Sequence, residues 1–313
     1  MNILLTGATG FLGRVVVRQA LDMGHVITAI TRPGSRSALP VHDRLFYAPS
    51  TPEGIALAMA NASVVVHLAT CYGRIGDCVD AMVDANLRLP ILLADVAGRH
   101  GVPILLGDSF FSAPGVDYNH LKSYVGMKRA CATAVHGVVA GRVQVAQLAF
   151  EHLYGPGDDP NKAIPSLLAK LIHGSSRLPL TSGTQTRDFT YVEDAAAAVL
   201  AIARHIDKLP CGSCERLGIG TGSSMTLRDF IETAYVLAGS QIELGWGDLP
   251  MRAGEPNSQG ADRRFLDSIG CESRFHVQDA LRMTLNEISE IMGKPIQRMD
   301  QSRISVYRAR DIE

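Results

Sequence analysis

The amino-acid sequence predicts an α/β fold: a doubly wound parallel sheet with a smaller, discontinuous C-terminal region. Three observations predict it. Short apolar runs alternate with helical patterns through the first half of the chain, a glycine-rich turn follows the first run directly, and the alternation lapses beyond about residue 150. The 313 residues suit one large or two smaller domains. Hydrophobic residues make up 46% and charged residues 19%, so a sizeable core is available and disorder is disfavoured.

Strands are expected at Asn2 to Thr6, Val26 to Thr31, Val64 to Leu68, Pro103 to Leu106 and Val143 to Leu148. Helices are expected near Gly13 to Met23, Ile55 to Ala60, Met82 to Arg99 and Tyr124 to Val139. Strands and helices in that alternation build βαβ units with right-handed crossovers. In the second half, Pro, Gly and Asp crowd Tyr154 to Pro160, which reads as a loop. Helices follow at Pro165 to Ile172, Val192 to Ala203, Thr226 to Ala238 and Gln278 to Met292. Thr226 stands three residues before Asp229, a capping signal. The stretch Gly293 to Glu313 is polar, shows little periodicity and reads as a poorly ordered tail.

The charges nearly cancel, with 30 basic and 31 acidic residues, which argues against nucleic acid as the main partner. The six cysteines are scattered and suggest no disulfide framework, so a reducing cytoplasm is expected. No basic stretch followed by an apolar leader is visible, and no apolar run approaches the ~20 residues that span a bilayer. No membrane partner is expected.

The turn Gly7-Ala8-Thr9-Gly10-Phe11-Leu12-Gly13 links the first strand to the first helix. One glycine permits the tight turn, one lets backbone approach a pyrophosphate, and one lets helix and strand pack closely. The helix start then presents free N–H groups and the positive end of its dipole. In this strand–turn–helix context the motif reads as the dinucleotide-binding turn of a Rossmann fold, with Gly7, Thr9, Gly10, Phe11, Leu12 and Gly13 as cofactor contacts. The second strand ends Ile30-Thr31-Arg32, with no acid to hold a ribose 2′-hydroxyl. Arg32 can take a 2′-phosphate through two hydrogen bonds, so NADP (as NADPH) is favoured over NAD.

Tyr124 and Lys128 stand at i and i+4, on one face of a helix. A nearby ammonium favours the phenolate and draws a tyrosine toward a useful range. Ser109, at a neighbouring strand end, supplies a hydroxyl that can share a substrate oxygen. Tyr118 and Lys122 repeat the spacing, but a loop-like segment surrounds Tyr118, whereas Arg129 to Val139 continues a clean helix from Lys128. Cys211-Gly212-Ser213-Cys214 lacks the further ligands a tetrahedral zinc needs and reads as a loop with two inert thiols; no metal is expected. Gly218 to Gly222 reads as a glycine turn rather than a second phosphate loop. His67 reads as a packed histidine, and Asp188 and Asp194 as structural caps or partners.

With these residues in hand, the chain resembles the extended short-chain dehydrogenase/reductase superfamily, and within it the nucleotide-sugar branch. The resemblance runs from about Met1 to Met292. It is carried by GATGFLG at Gly7, HLAT at His67, the strand end at Ser109, YVGMK at Tyr124, YGPGDD at Tyr154 and QTRDFTYVEDAAAA from Gln185. More narrowly, GDSFFS at Gly107, EHLYGPGDD at Glu151, LTSGTQTRDFTYVEDA at Leu180 and the loop Arg252 to Glu255 are similar to reductases of nucleotide-linked 4-keto-6-deoxyhexoses. The resemblance implies that Leu68, Ala69 and Thr70 border the cofactor. It also implies that Lys128 and Tyr124 touch the cofactor, and that Ser109, Phe111, Lys162, Arg187 and Arg252 meet a nucleotide-diphosphosugar. It implies an NADP-binding Rossmann domain over residues 1–150 plus about 184–220, a substrate-binding region over 151–183 and 221–292, and a homodimer through Met82 to Arg99 and Tyr124 to Val139. The implied reaction is NADPH-dependent reduction of a 4-keto group. The alternatives are an epimerase with tightly bound NAD and a non-catalytic NADP-binding sensor. Where relatives carry Arg and Asn before the YGP loop, this chain has Ala149 and His152. Where dehydratases carry Asp and Glu after the catalytic hydroxyl, it has Phe110 and Phe111.

Overall fold

A computed structural model describes residues 1–31, 39–73, 78–116, 118–173 and 176–293. The chain opens with β1 (Asn2–Thr6), α1 (Phe11–Asp22), β2 (Val26–Thr31), β3 (Leu45–Pro49), α2 (Pro52–Met59) and β4 (Val64–His67). It continues through α3 (Val79–Val83), α4 (Leu89–His100), β5 (Ile104–Ser109), α5 (Lys122–Val139) and β6 (Val145–Phe150). Six of these strands and a later one, β11 (Cys214–Ile219), form one parallel sheet in the order β11-β6-β5-β4-β1-β2-β3. The order reverses between β1 and β4, so the strand ends open onto a crevice there. Ile3-Leu4-Leu5, Val64-Val65-Val66 and Ile104-Leu105-Leu106 are buried, as continuous apolar runs must be when helices cover both faces.

Before β11 come β7 (His152–Tyr154), α6 (Ala163–His173), β8 (Arg177–Leu180), β9 (Thr186–Arg187), β10 (Phe189–Tyr191) and α7 (Val192–Arg204). After it come β12 (Met225–Thr226), α8 (Leu227–Ala238), β13 (Glu243–Trp246), α9 (Arg264–Ser268) and α10 (Val277–Met292). The short strands pair as β10-β7, β12-β9 and β13-β8. Helices α1 and α7 cover one face of the sheet, burying Val16, Val17, Val199 and Ile202; α2, α4 and α5 cover the other with Ile55, Met59, Leu93, Val135 and Val139. Among the described residues, no helix is long and apolar enough to cross a membrane.

Local chemistry explains the boundaries. Thr51 caps α2 by accepting from Gly54 N at 3.1 Å, and Pro52 takes the first helical position, where a missing N–H costs nothing. Thr226 accepts from Asp229 N at 3.0 Å, the capping expected from sequence. The helix expected over Met82 to Arg99 is instead three pieces: α3, a π-helical turn at Asp84–Arg88, and α4. Such a turn inserts a residue into the helical ladder and often marks a functional position. The strand expected at Pro103 to Leu106 runs on to Ser109. Cys214, expected in a loop, is the first residue of β11. Arg32 and residues 294–313 lie outside the described residues.

A buried carboxylate ties the second half together. Asp188, between β9 and β10, is 0% exposed. It accepts from Thr221 N and Gly222 N at 2.9 Å, Ala261 N at 3.0 Å and the Thr221 hydroxyl at 2.8 Å. The glycine stretch 218–222 therefore turns on an internal anion, which answers its likeness to a phosphate loop. Asp194 likewise accepts from Arg274 N and Phe275 N ahead of α10. Replacing Asp188 with Ala orphans several buried donors at ~1–3 kcal/mol each, so urea unfolding should show a loss of at least about 3 kcal/mol. A loss under about 1 kcal/mol would contradict this role.

Candidate active site

The glycine turn is shaped by backbone contacts that exclude side chains. A Cβ at Gly7, whose φ is +73°, would lie 2.5 Å from Ala69 N, and one at Gly13 would lie 1.9 Å from Gly7 O. Gly10 N donates to Gly7 O at 2.9 Å and closes the turn. Gly10 also starts α1 with no side-chain cap and no acid in the first turn, so the leading N–H groups face outward without a rival anion. Thr9 lies half-buried in the turn, Phe11 begins the helix and Leu12 anchors it in the core. On the facing side, Leu68 N donates to Thr6 O and Ala69 N to the Thr6 hydroxyl, so Leu68-Ala69-Thr70 runs flush against the turn. These residues fit the pyrophosphate of a dinucleotide. His67 is buried beside Thr6 at 2.8 Å; burial, with the Lys128 ammonium adding, lowers it to about 3, so it is a neutral packed histidine.

Tyr124 and Lys128 meet on the buried face of α5, at 4% and 6% exposure. The Lys128 ammonium donates to Gly107 O at 2.7 Å and lies 5.7 Å from the Tyr124 ring centroid. Ser109 ends β5 two residues beyond that carbonyl. The Tyr124 ring packs on Tyr72 at 5.0 Å, and its hydroxyl engages Thr70. Burial pushes the Tyr124 hydroxyl well above its ordinary value, with Tyr72 and Asp108 adding to the rise and Thr70 opposing it. The phenol is thus held protonated, as a proton donor. Tyr118 and Lys122 do not form such a pair: Tyr118 is buried ahead of a 3₁₀ turn at Asn119–Leu121, while Lys122 is exposed at the start of α5.

The expected substrate cations are placed differently from one another. Arg187, expected at a diphosphate, is only 4% exposed and is engaged internally by Thr186 O, Pro256 O and the Glu255 carboxylate. Lys162 is paired with the buried Asp158 carboxylate at 2.5 Å, and its ammonium lies over the Phe11 and Tyr72 rings, beside the cofactor turn. Arg252 is exposed and donates to the Tyr118 hydroxyl at 3.2 Å, which itself donates to Glu255 at 3.0 Å. Phe111 stacks on Tyr118 at 5.0 Å, Phe110 packs on Phe111, and Arg187 covers both phenyl rings. An aromatic wall therefore follows Ser109 directly.

Several site residues carry no sequence signal strong enough to single them out. Asn86, in the π-helical turn, is buried and accepts from Thr70 at 2.9 Å, while its amide donates to Cys71 O at 2.7 Å. As one polar residue among several in the run Val79 to Arg88, it stands out by no pattern. Glu151 follows β6 and accepts from the Ser258 hydroxyl at 2.9 Å; burial, with Asp188 nearby, raises it to about 7 against the pull of Ser258, Arg187 and Arg216. His152 sits edge-on to Phe189, and burial lowers it to about 4, so it is neutral. Cys211 is exposed, and Cys214 accepts from Gln147 on the neighbouring strand. Among the described residues, no three His, Cys, Asp or Glu side chains cluster as a metal site.

Comparison with known proteins accords with this geometry. Residues 3–215 match the family model described as NAD dependent epimerase/dehydratase. CDP-abequose synthase of Salmonella typhimurium is 27% identical over 296 residues, covering 91% of this chain and 98% of that protein. The dTDP-6-deoxy-L-talose 4-dehydrogenase (NAD(P)(+)) of Kitasatospora kifunensis is 24% identical, covering 90% and 93%. Among solved structures, MoeE5 in complex with UDP-glucuronic acid and NAD is 25% identical with a TM-score of 0.74, covering 93% of this chain and 100% of that one. The UDP-N-acetylglucosamine 4-epimerase of Methanobrevibacter ruminantium M1 shares the fold at a TM-score of 0.77 and 20% identity, covering 93% and 99%.

The buried carboxyl of Glu151 gives a pH prediction. In the folded chain it keeps its proton up to about pH 7, whereas unfolded it lets go near 4.5. Its contribution is fully present below pH 4.5 and is withdrawn as pH rises through 7. Glu151→Gln should therefore be more stable than the parent at pH 8, by on the order of 2 kcal/mol, with the gap closing toward pH 4.5. Chemical unfolding across that range tests this; a gap independent of pH counts against the buried acid.

Proposed function

The chain belongs to the NAD dependent epimerase/dehydratase family, and we propose that within it the protein reduces the 4-keto group of a nucleotide-diphospho-4-keto-6-deoxyhexose with NADPH. One observation carries this reading. Tyr124 is buried on the face of α5 from which Lys128 donates to Gly107 O, two residues before Ser109, and the two side chains after Ser109 are phenyl rings. Such a site can deliver one proton. Among the described residues, the two side chains that follow the hydroxyl supply no acid and base, which removal of water from carbons 5 and 6 would require. Asp108 is turned away into an ion pair with Arg216. The likeness to an abequose synthase and a 6-deoxytalose dehydrogenase supports a deoxysugar substrate.

Each residue then has a task. Gly7, Thr9, Gly10, Phe11, Leu12 and Gly13, with Leu68 to Thr70, hold the dinucleotide, and Arg32 selects its 2′-phosphate. When bound, the reduced nicotinamide supplies the hydride. Tyr124 gives its proton to the ketone oxygen, which Ser109 polarises through a shared hydrogen bond. Lys128 holds the nicotinamide ribose and offsets the charge left on Tyr124. Phe111 flanks the sugar, while Arg252 meets the diphosphate and Arg187, held by Glu255, shapes that pocket. Residues 1–150 with about 184–220 serve the cofactor, and 151–183 with 221–292 the sugar nucleotide. A homodimer through α4 and α5 is supported by the exposed Gly126, Ala130, Thr133 and Gly137, a face flat enough for a second helix to approach. Six free thiols suit the cytoplasm as its setting.

A second reading, 4-epimerisation with retained NAD, uses the same Ser, Tyr and Lys; Arg32 without an acid at the second strand end favours an exchangeable NADPH. Tyr124→Phe should keep NADPH binding while lowering turnover at least about a hundredfold. Undiminished turnover in that variant sinks the mechanism. Stoichiometry separates the readings: one NADPH should disappear for each product formed. Product without net NADPH loss would place the protein among the epimerases, and tight NADPH binding with no turnover of any keto-sugar nucleotide would mark a sensor.

A further inference from the structure

We propose that Arg216 is a positioning residue for Ser109, holding the backbone of the proposed catalytic hydroxyl from two strands away. The inference rests on the role given to Ser109 above. Arg216 lies on β11, one residue past the segment that matches the family. Its Nη2 donates to Ser109 O at 2.8 Å, and its Nη1 to the Asp108 carboxylate and to the Ser112 hydroxyl at 3.2 Å. The Ser112 hydroxyl stands 2.7 Å from Asp108 Oδ1 and 2.8 Å from Ser109 O. Arg216, Asp108 and Ser112 thus form a closed ring around one peptide carbonyl.

That carbonyl needs holding. Beyond Ser109 the chain leaves the sheet for a 3₁₀ turn at Phe110–Ser112; the pair Ser109–Phe150 is the last step of the β5–β6 ladder, and the Ser109 carbonyl is met by the Arg216 and Ser112 side chains. From the opposite side, α5 reaches the same segment. Lys128 donates to Gly107 O at 2.7 Å, and Arg129 to Ser112 O and Ala113 O at 2.9 Å and to Val116 O at 2.6 Å. The helix that carries Tyr124 and the strand that carries Arg216 therefore grip residues 107–116 between them. Such a grip fixes the hydroxyl relative to the phenol, which is what shared polarisation of one oxygen demands. The planar fork of a guanidinium can bridge a carbonyl and a carboxylate at once; an ammonium cannot.

The test uses the full chain in four forms: parent, Arg216→Gln, Ser109→Ala and both together. A fifth form, Asp108→Asn with Arg216→Gln, keeps the buried charge balanced should the single Arg variant fold poorly, and a sixth carries Arg216→Lys. Arg216→Gln should lower kcat tenfold or more with the KM for NADPH within twofold, and Arg216→Lys should rescue little. In the Ser109→Ala background the same change should cost less than twofold, because the group it positions is gone. Amide hydrogen exchange should quicken at residues 110–113 and stay unchanged in β1 and β4. Losses that multiply in the double variant, or exchange at 110–113 that does not move, overturn the proposal. Should the parent consume no NADPH with any 4-keto sugar nucleotide, the reductase reading fails, and the exchange measurement alone decides whether Arg216 holds this turn.

Discussion

At the mouth of the sheet, backbone lies directly on backbone. The start of α1 rests on the Gly7 peptide, and the Gly7 peptide rests on the loop leaving β4, at distances where any Cβ would collide. Close approach at that point brings the free amides of α1, the Thr6–Ala69 contact and Thr70 into one rim. Thr70 then reaches both Tyr124 and Asn86, so the hydroxyl network of the site is hung from the same contact that forms the cofactor turn. Parallel strands of differing lengths end at one edge, and the loops that leave them converge there.

Charge is managed strictly in this cleft. His67 and His152 are neutral, Tyr124 keeps its proton, and Glu151 titrates near 7. The internal guanidiniums each meet a carboxylate: Arg187 meets Glu255, and Arg216 meets Asp108. Among the described residues, the Lys128 ammonium meets a carbonyl and no carboxylate, the first turn of α1 carries no acid, and Arg252 is exposed. An anionic ligand therefore meets a fixed positive field in a setting of low polarity, where such fields act strongly.

The first half of the fold is legible in the sequence because its signals are local. Buried parallel strands must be apolar throughout, and β1 and β2 stand where the apolar runs Asn2 to Thr6 and Val26 to Thr31 place them. Lys128 and Tyr124 were legible through helical spacing, since both had to share a face. The second half hid its strands because β7, β9, β10 and β12 are two or three residues long, too short to show a period. Strand β11 hid behind the cysteine pair and the glycines at either end. The fate of Arg187 was equally out of reach, because its partner Glu255 is 68 residues away. Asp108 beside Arg216 was hidden for the same reason: an ion pair across strands leaves no pattern in either strand alone.

The sheet is finished late in the life of the chain. Strand β6 waits for β11, and some sixty residues of the second half separate them. During synthesis the N-terminal strands can assemble as they emerge, but the outer rim of β6 stays unpaired until the ribosome has delivered residue 219. An unpaired rim is a template for other chains. The late strand also brings Arg216, so a product truncated before it would have the cofactor turn, Tyr124 and Lys128 in hand while its serine turn lay slack. In nascent form the chain can thus acquire a dinucleotide cradle well before it acquires an ordered place to do chemistry, and a bound dinucleotide could then act as a scaffold on which the remainder of the polypeptide matures.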